Sequence, residues 1–235
     1  MTKYIVKSYL ALVNRFEAFA KNLGSLGLAV IYTVGHIWIA ILCAAYIFDA
    51  SLNLAAVDAF IDLILEDGNA PSPDAVAKRA GVSIASMYRY FETLDELRND
   101  AIARITERFP ELVFIPEIGT GDRKQRIATF TKVRLALHEK LHPLQLLNRR
   151  NLQGSPITAK QLDSARLMLS DQIRVHFDHE LRTLNPADRE DIVASISVLT
   201  SVESWEQFRR TLNRTVGQTR RAWNSAIHHL LPVTE

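Results

Sequence analysis

SPDAVAKRAGVSIASMYRYFETLDEL, residues 72–97, carries its own punctuation: two short helices on either side of a three-residue turn, then the start of a third. Ser72 is placed to cap the first helix, Pro73 suits its first position and Asp74 favours the positive end of its dipole. Val76, Ala77 and Ala80 share a small apolar face, while Lys78 and Arg79 point away from it. Gly81 can take the left-handed conformation that ends a helix, and Ser83 is placed to cap the next, expected from about Ile84 to Tyr90. Thr93 followed by Glu96 is a capping box opening a further helix, with Leu94, Leu97, Ala101, Ile102 and Ile105 spaced by threes and fours.

So short a turn, Gly81-Val82-Ser83, after a helix of small residues suits two helices crossing near a right angle, the layout of a helix-turn-helix. The second helix then carries what a major groove accepts. Ser83 and Ser86 can hydrogen-bond base edges, and Ile84 and Ala85 can touch a thymine methyl. Tyr88, Tyr90 and Arg89 can contact phosphates. Met87 and Phe91 have the spacing of an inward packing face and are assigned to the core.

The run AGVSIASMYRYF, residues 80–91, resembles the DNA-binding domain of the tetracycline repressor (TetR) family. The resemblance extends back through an apolar helix at about 54–65 and forward to about Phe109. It implies an all-α protein whose three-helix DNA-binding head precedes a larger helical ligand-binding and dimerisation domain. It also implies base or phosphate contacts from Ser83, Ile84, Ala85, Ser86, Tyr88 and Tyr90; Arg89 and Lys78 are added on their charge. Members place a Lys where this chain has Leu94, and Leu cannot contact a phosphate. Between residues 70 and 110 six basic side chains (Lys78, Arg79, Arg89, Arg98, Arg104, Arg108) meet six acidic ones (Asp74, Glu92, Asp95, Glu96, Asp100, Glu107). A formally neutral head binds DNA weakly unless its cations cluster on one face, and Lys78, Arg79 and Arg89 are the candidates for such a cluster.

The chain has 235 residues and a net charge of +2, enough for a small head and one larger domain with its own core. Its single cysteine, Cys43, excludes an intramolecular disulfide and fits a reducing cytoplasm. The boundaries read from the sequence are 1–50 for an amino-terminal extension, 51–110 for the head and 122–235 for the helical domain.

The extension is unexpected for this kind of head. Residues 4–20 read as an amphipathic helix, and 26–48 contain no charge. As a helix the latter spans roughly 34 Å, enough for the ~30 Å apolar core of a bilayer. Yet Lys3, Lys7, Arg15 and Lys21 precede it while Asp49, Asp58 and Asp62 follow, and the positive-inside rule would export the head from the compartment that holds DNA. Two readings stay open at this point: a membrane helix, or an accessory helical segment or dispensable extension. The first supports a membrane-attached sensor or interaction protein with a degenerate helix-turn-helix as the alternative to a cytoplasmic regulator.

Past Phe109, Pro110, Pro116, Gly119 and Gly121 mark a connecting loop. Helices are expected over 123–141, from Pro143 to about Asn148, over 158–184, from Pro186, and from beyond Gly217 to about Leu231. The last two form the natural dimer seam through Ile192, Ile196, Leu199, Trp223 and Ile227, an arrangement the resemblance implies. A purely internal core is the other reading of the same residues. The segment 204–209 also looks like family sequence. A pocket for an apolar or amphipathic effector is expected among Phe130, Leu137, Leu146, Met168, Phe177 and Trp205, with Arg134 or His138 to orient a polar end; each is equally compatible with ordinary core.

No HExxH, Cys/His array, phosphate-binding glycine loop or GxSxG elbow is present, so neither an enzyme nor a metal site is expected and no cofactor is called for. The pairs His138/His142 and His176/His179 lack a carboxylate or cysteine at ligand spacing and read as surface or helix-end polarity.

Overall fold

The structure, a computed structural model, describes the backbone of residues 24–150 and 156–233, with the side chains of 24–34 and 43–50 outside the description. The amphipathic helix expected over 4–20 and the Gly154-Ser155 break lie outside the described residues. Two compact units are formed, Met1–Asn53 and Leu54–Glu235. Among the described residues every regular element is helical: α1 (Gly24–Asp67), α2 (Pro73–Ala80), α3 (Ile84–Tyr90), α4 (Leu94–Arg108), α5 (Pro110–Val113), α6 (Arg123–Arg150), α7 (Pro156–His176), α8 (Asp178–Leu181), α9 (Pro186–Leu199), α10 (Val202–Glu206), a π turn (Gln207–Thr211) and α11 (Val216–Leu230).

Helix α1 joins what the sequence reading divided into 26–48 and 54–65. No Gly or Pro falls between Gly35 and Gly68, so nothing stops propagation once the helix is nucleated. It ends where Gly68 turns to φ 72° and gives its N–H to Ile64 O at 2.8 Å. Residues 35–42 are exposed throughout, including Ile37, Trp38, Ile39, Ile41 and Leu42. Among the described residues no helix is long and apolar enough to cross a membrane.

In the second unit Ala56, Val57, Phe60, Ile61 and Ile64 of α1 pack with Val76 and Ala77 of α2, Met87 of α3, Phe91, and Leu97 and Ala101 of α4. Leu144 and Leu147 of α6 complete this cluster, so the small head shares its core with the domain behind it. The expected stop between 141 and 143 does not occur, and α6 runs through Pro143. An interior proline costs about 3 kcal/mol. Leu141, Leu144 and Leu147 are each buried around it, and at about 1.5–3 kcal/mol per buried side chain they outweigh that cost.

Three further boundaries differ from expectation. The 158–184 helix breaks at Phe177, which leaves helical geometry (φ −110°, ψ 23°) to set its ring edge-on to Phe130 at 5.4 Å in the core. The helix from Pro186 stops at Thr200, and Ser201 caps α10 by accepting from Ser204 N at 3.2 Å. The last helix starts at a capping box of Thr215 with Gln218, so Gly217 lies within its first turn instead of separating it from the element before. A second core holds Ile127, Phe130, Ile173, Phe177, Leu181, Val193, Ile196 and Ile227, and Leu135, Trp205 and Trp223 form a smaller one.

Candidate nucleic-acid interface

The local chemistry that sets the two helices is in place. Ser72 accepts from Ala75 N at 3.2 Å, and Gly81 (φ 70°, ψ 25°) directs its N–H at the last carbonyls of α2, with Val82 N reaching Ala77 O at 3.0 Å. Ser83 then caps α3: its Oγ accepts from Ser86 N at 3.0 Å while its own proton goes to Ser86 Oγ at 2.9 Å. Ser86 is left with the hydroxyl proton that can reach outward. Thr93 accepts from Glu96 N at 3.2 Å, and the Glu96 carboxylate reaches back to Glu92 N at 2.8 Å.

Met87 and Phe91 are buried, as the spacing predicted, which turns the rest of α3 outward. Ser83, Ile84, Ala85, Tyr88 and Arg89 are exposed, and Ser86 and Tyr90 are half-buried. The Arg89 guanidinium lies 4.9 Å from the centre of the Tyr90 ring and donates to its hydroxyl at 2.6 Å, so the two act as one unit. Leu94, in the position expected of a Lys, packs against the core of the head.

The cationic patch is thinner than the sequence reading allows. Arg79 makes a two-pronged pair with Glu66 at 2.9 and 2.7 Å, and that hydrogen bonding holds the Glu66 carboxyl below its usual range. Arg98 pairs with Asp95, and Arg104 and Arg108 pair with Asp58 and Asp62 on α1. Lys78 and Arg89 are exposed.

The proposed effector and dimer residues take different places. Phe130, Leu137, Phe177 and Trp205 are buried and Leu146 and Met168 half-buried. Of the residues expected at a dimer seam, Ile196, Trp223 and Ile227 are fully enclosed within the single chain and build its own core; Ile192 and Leu199 are half-buried against it. His138, His142 and His176 are buried bridges, which corrects the surface half of the reading of the pairs as surface or helix-end polarity; His176 ends α7, and of these four only His179 is exposed. His142 accepts from Arg210 at 3.1 Å and meets Glu206 Oε1 at 2.7 Å; His138 lies 2.9 Å from Thr200 O. Among the described residues no group of three His, Cys, Asp or Glu is placed to hold a metal ion.

An open groove of about 460 Å³ lies where the sequence reading had placed only Met168. Phe114 and Ile118 face Ser164, Leu167, Met168, Asp171, Gln172 and Val175 across it. The signal was the repeat of three and four along α7 from 164 to 175, outward-facing yet rich in apolar side chains.

A helix-turn-helix head on an all-helical body is the class these features define. No family model and no curated protein matches the chain. Solved structures do. A TetR-family transcriptional regulator from Streptomyces coelicolor aligns with a TM-score of 0.59 at 22% identity, over 76% of this chain and 78% of that one. A candidate transcriptional regulator from Pseudomonas aeruginosa PAO1 gives 0.57 at 18%, over 77% and 89%. The multidrug binding protein EbrR, complexed with imidazole, gives 0.51 at 17%, over 78% and 96%. The chain therefore has the TetR-like fold, carrying an additional apolar helical segment at its amino-terminal side.

Proposed function

We propose that this chain is a sequence-specific DNA-binding transcriptional regulator of the TetR kind, acting in the cytoplasm as a homodimer whose helical domain receives a small effector, and that it is not an enzyme. The observation that carries this reading is the division of α3: Met87 and, just beyond it, Phe91 anchor it in the head, while Ile84, Ala85, Tyr88 and Arg89 stand in solvent. A helix held from behind with short side chains at its start and phosphate-binding groups at its end fits a major groove. A second copy supplies the other half-site, its seam using the accessible edges of Ile192 and Leu199 and the exposed Val198. Effector binding acts by favouring a dimer whose heads no longer match two half-sites, which requires unequal affinity for the two arrangements.

Gel retardation of the DNA upstream of the chain's own coding sequence tests the assignment. The wild-type chain is expected to shift it, and the triple variant Ser86→Ala, Tyr88→Ala, Arg89→Ala to lose the shift. Equal retardation by both overturns it.

A further inference from the structure

The groove between α7 and the segment after α5 combines an apolar wall with a polar group that has no partner. Four of its side chains, Phe114, Ile118, Leu167 and Val175, are large, apolar and exposed, with Leu167 at 64%. Gathered on one concave surface they form the kind of patch a soluble domain keeps for a ligand. The volume falls within the ordinary span of small-molecule sites.

Behind this wall lies Arg134, which is 2% exposed. It donates to Val113 O at 3.3 Å, Leu169 O at 3.1 Å and Gln172 Oε1 at 3.5 Å, and among the described residues no carboxylate pairs with it. Burial pulls its guanidinium down to about 10, the mark of a cation held without a counter-charge. Because a guanidinium only donates, it fixes the Gln172 amide with its oxygen inward. The amide Nε2 is then left as a buried donor with no acceptor, on a residue that lines the groove and is itself 9% exposed. Such a group costs stability until an acceptor arrives.

The other polar lining groups are already engaged. Ser164 gives its proton to Lys160 O at 2.9 Å, and the exposed Asp171 carboxylate pairs at 2.6 Å with Arg174, a guanidinium that also holds Glu190 at 2.5 Å. Among the described residues Arg134 itself has no paired carboxylate, and Gln172 stands between it and the groove.

We propose that this groove binds an amphipathic carboxylate, its chain along Phe114, Ile118, Leu167 and Val175 and its carboxylate accepting from Gln172 Nε2 in the field of Arg134. The site rests on reading the helical domain as a receptor and narrows the effector from apolar or amphipathic to anionic. Gln172 is the discriminating residue, since an alcohol or a cation of equal chain length gains the wall but not the charge-assisted contact.

Calorimetric titration of the full chain without DNA, using decanoate, decanol and decyltrimethylammonium, tests it. Decanoate should bind about tenfold more tightly than either other probe, the difference a charge-assisted hydrogen bond supplies. Gln172→Leu should bring decanoate to the level of decanol, and Gln172→Glu, whose carboxylate would pair with Arg134, should likewise remove the preference for decanoate. Leu167→Asp, at a well-exposed position, should weaken decanoate even if a Gln172 variant fails to fold. Equal binding of decanoate and decanol, no binding of decanoate, or decanoate affinity unchanged by Gln172→Leu in a folded protein overturns the proposal. Because no DNA is present, failure here leaves the DNA-binding reading standing, and failure of DNA retardation leaves the groove's selectivity to be judged on its own titration.

Discussion

Ser83 shows how one hydroxyl can be wholly committed within its own turn. It accepts from Ser86 N and donates to Ser86 Oγ, so both of its hydrogen-bonding directions serve the start of α3. Ser83→Ala should therefore lower stability by about 1 kcal/mol, the usual cost of a lost cap, with a smaller effect on sequence preference than Ser86→Ala has. Thermal unfolding read beside binding to randomised half-sites separates the two. Gly81, held at φ 70°, should be similarly intolerant, since an Ala there meets strain of about 1 kcal/mol or more even though no atom lies within contact of the added methyl. These residues were legible in the sequence because capping and left-handed turns depend on neighbours three or four positions away. Arg79 was not: its partner Glu66 lies on another helix, and a pairing of that kind leaves no local trace.

At the scale of elements, the continuous α6 is the feature sequence reading missed and the one that ties head to body. Pro143 invited a stop, but the decision belonged to Leu144 and Leu147, which reach into the core of the head. Leu147→Ala should cost about 2–5 kcal/mol and loosen the head along with α6, seen as a lower thermal midpoint and faster amide exchange in α2 to α4. Loss of protection confined to α6 would show instead that the head holds itself together. The same reasoning explains the breaks at Phe177 and Thr200. The first is fixed by the Phe177 ring against Phe130, the second by the Ser201 cap and by the Thr200 carbonyl meeting His138 at 2.9 Å, and apolar periodicity alone runs through such points. The α2–turn–α3 unit was readable because its ends are specified by Ser72, Gly81 and Ser83 in sequence order.

Across the whole molecule, buried imidazoles set how stability responds to acid. Burial pulls His138 and His176 below the ordinary value of 6.5, against the opposing hydrogen bonds that the first shares with the Thr200 carbonyl and the Gln145 amide oxygen and the second gives to the Arg126 carbonyl. The native state keeps these rings neutral while the unfolded chain takes up protons below 6.5, so their contribution is complete above that pH and is lost as the pH falls. Glu206 adds a second loss at lower pH. Burial would raise its carboxyl, but hydrogen bonds from Arg149 and His142 prevail and hold it below the usual 4.5. The thermal midpoint should decline as the pH falls below 6.5, and His138→Gln should flatten the first part of that decline; a midpoint insensitive to acid would contradict the burial of these rings. Net charge argues the same way for binding. With Arg79, Arg98, Arg104 and Arg108 paired to carboxylates, few cations remain to meet phosphates, and Arg89→Ala should lower the salt slope of DNA binding by about 1.

Selection from a random duplex library by the purified full chain, followed by sequencing, addresses the central claim most directly. A dimeric reader that presents α3 from each subunit should enrich an inverted repeat whose half-sites lie about 10 base pairs apart, or a multiple of that. Tyr88→Ala with Arg89→Ala should abolish the enrichment while leaving the fold intact. Recovery of an unenriched pool by a folded wild-type chain, at low salt and without effector, would contradict the account.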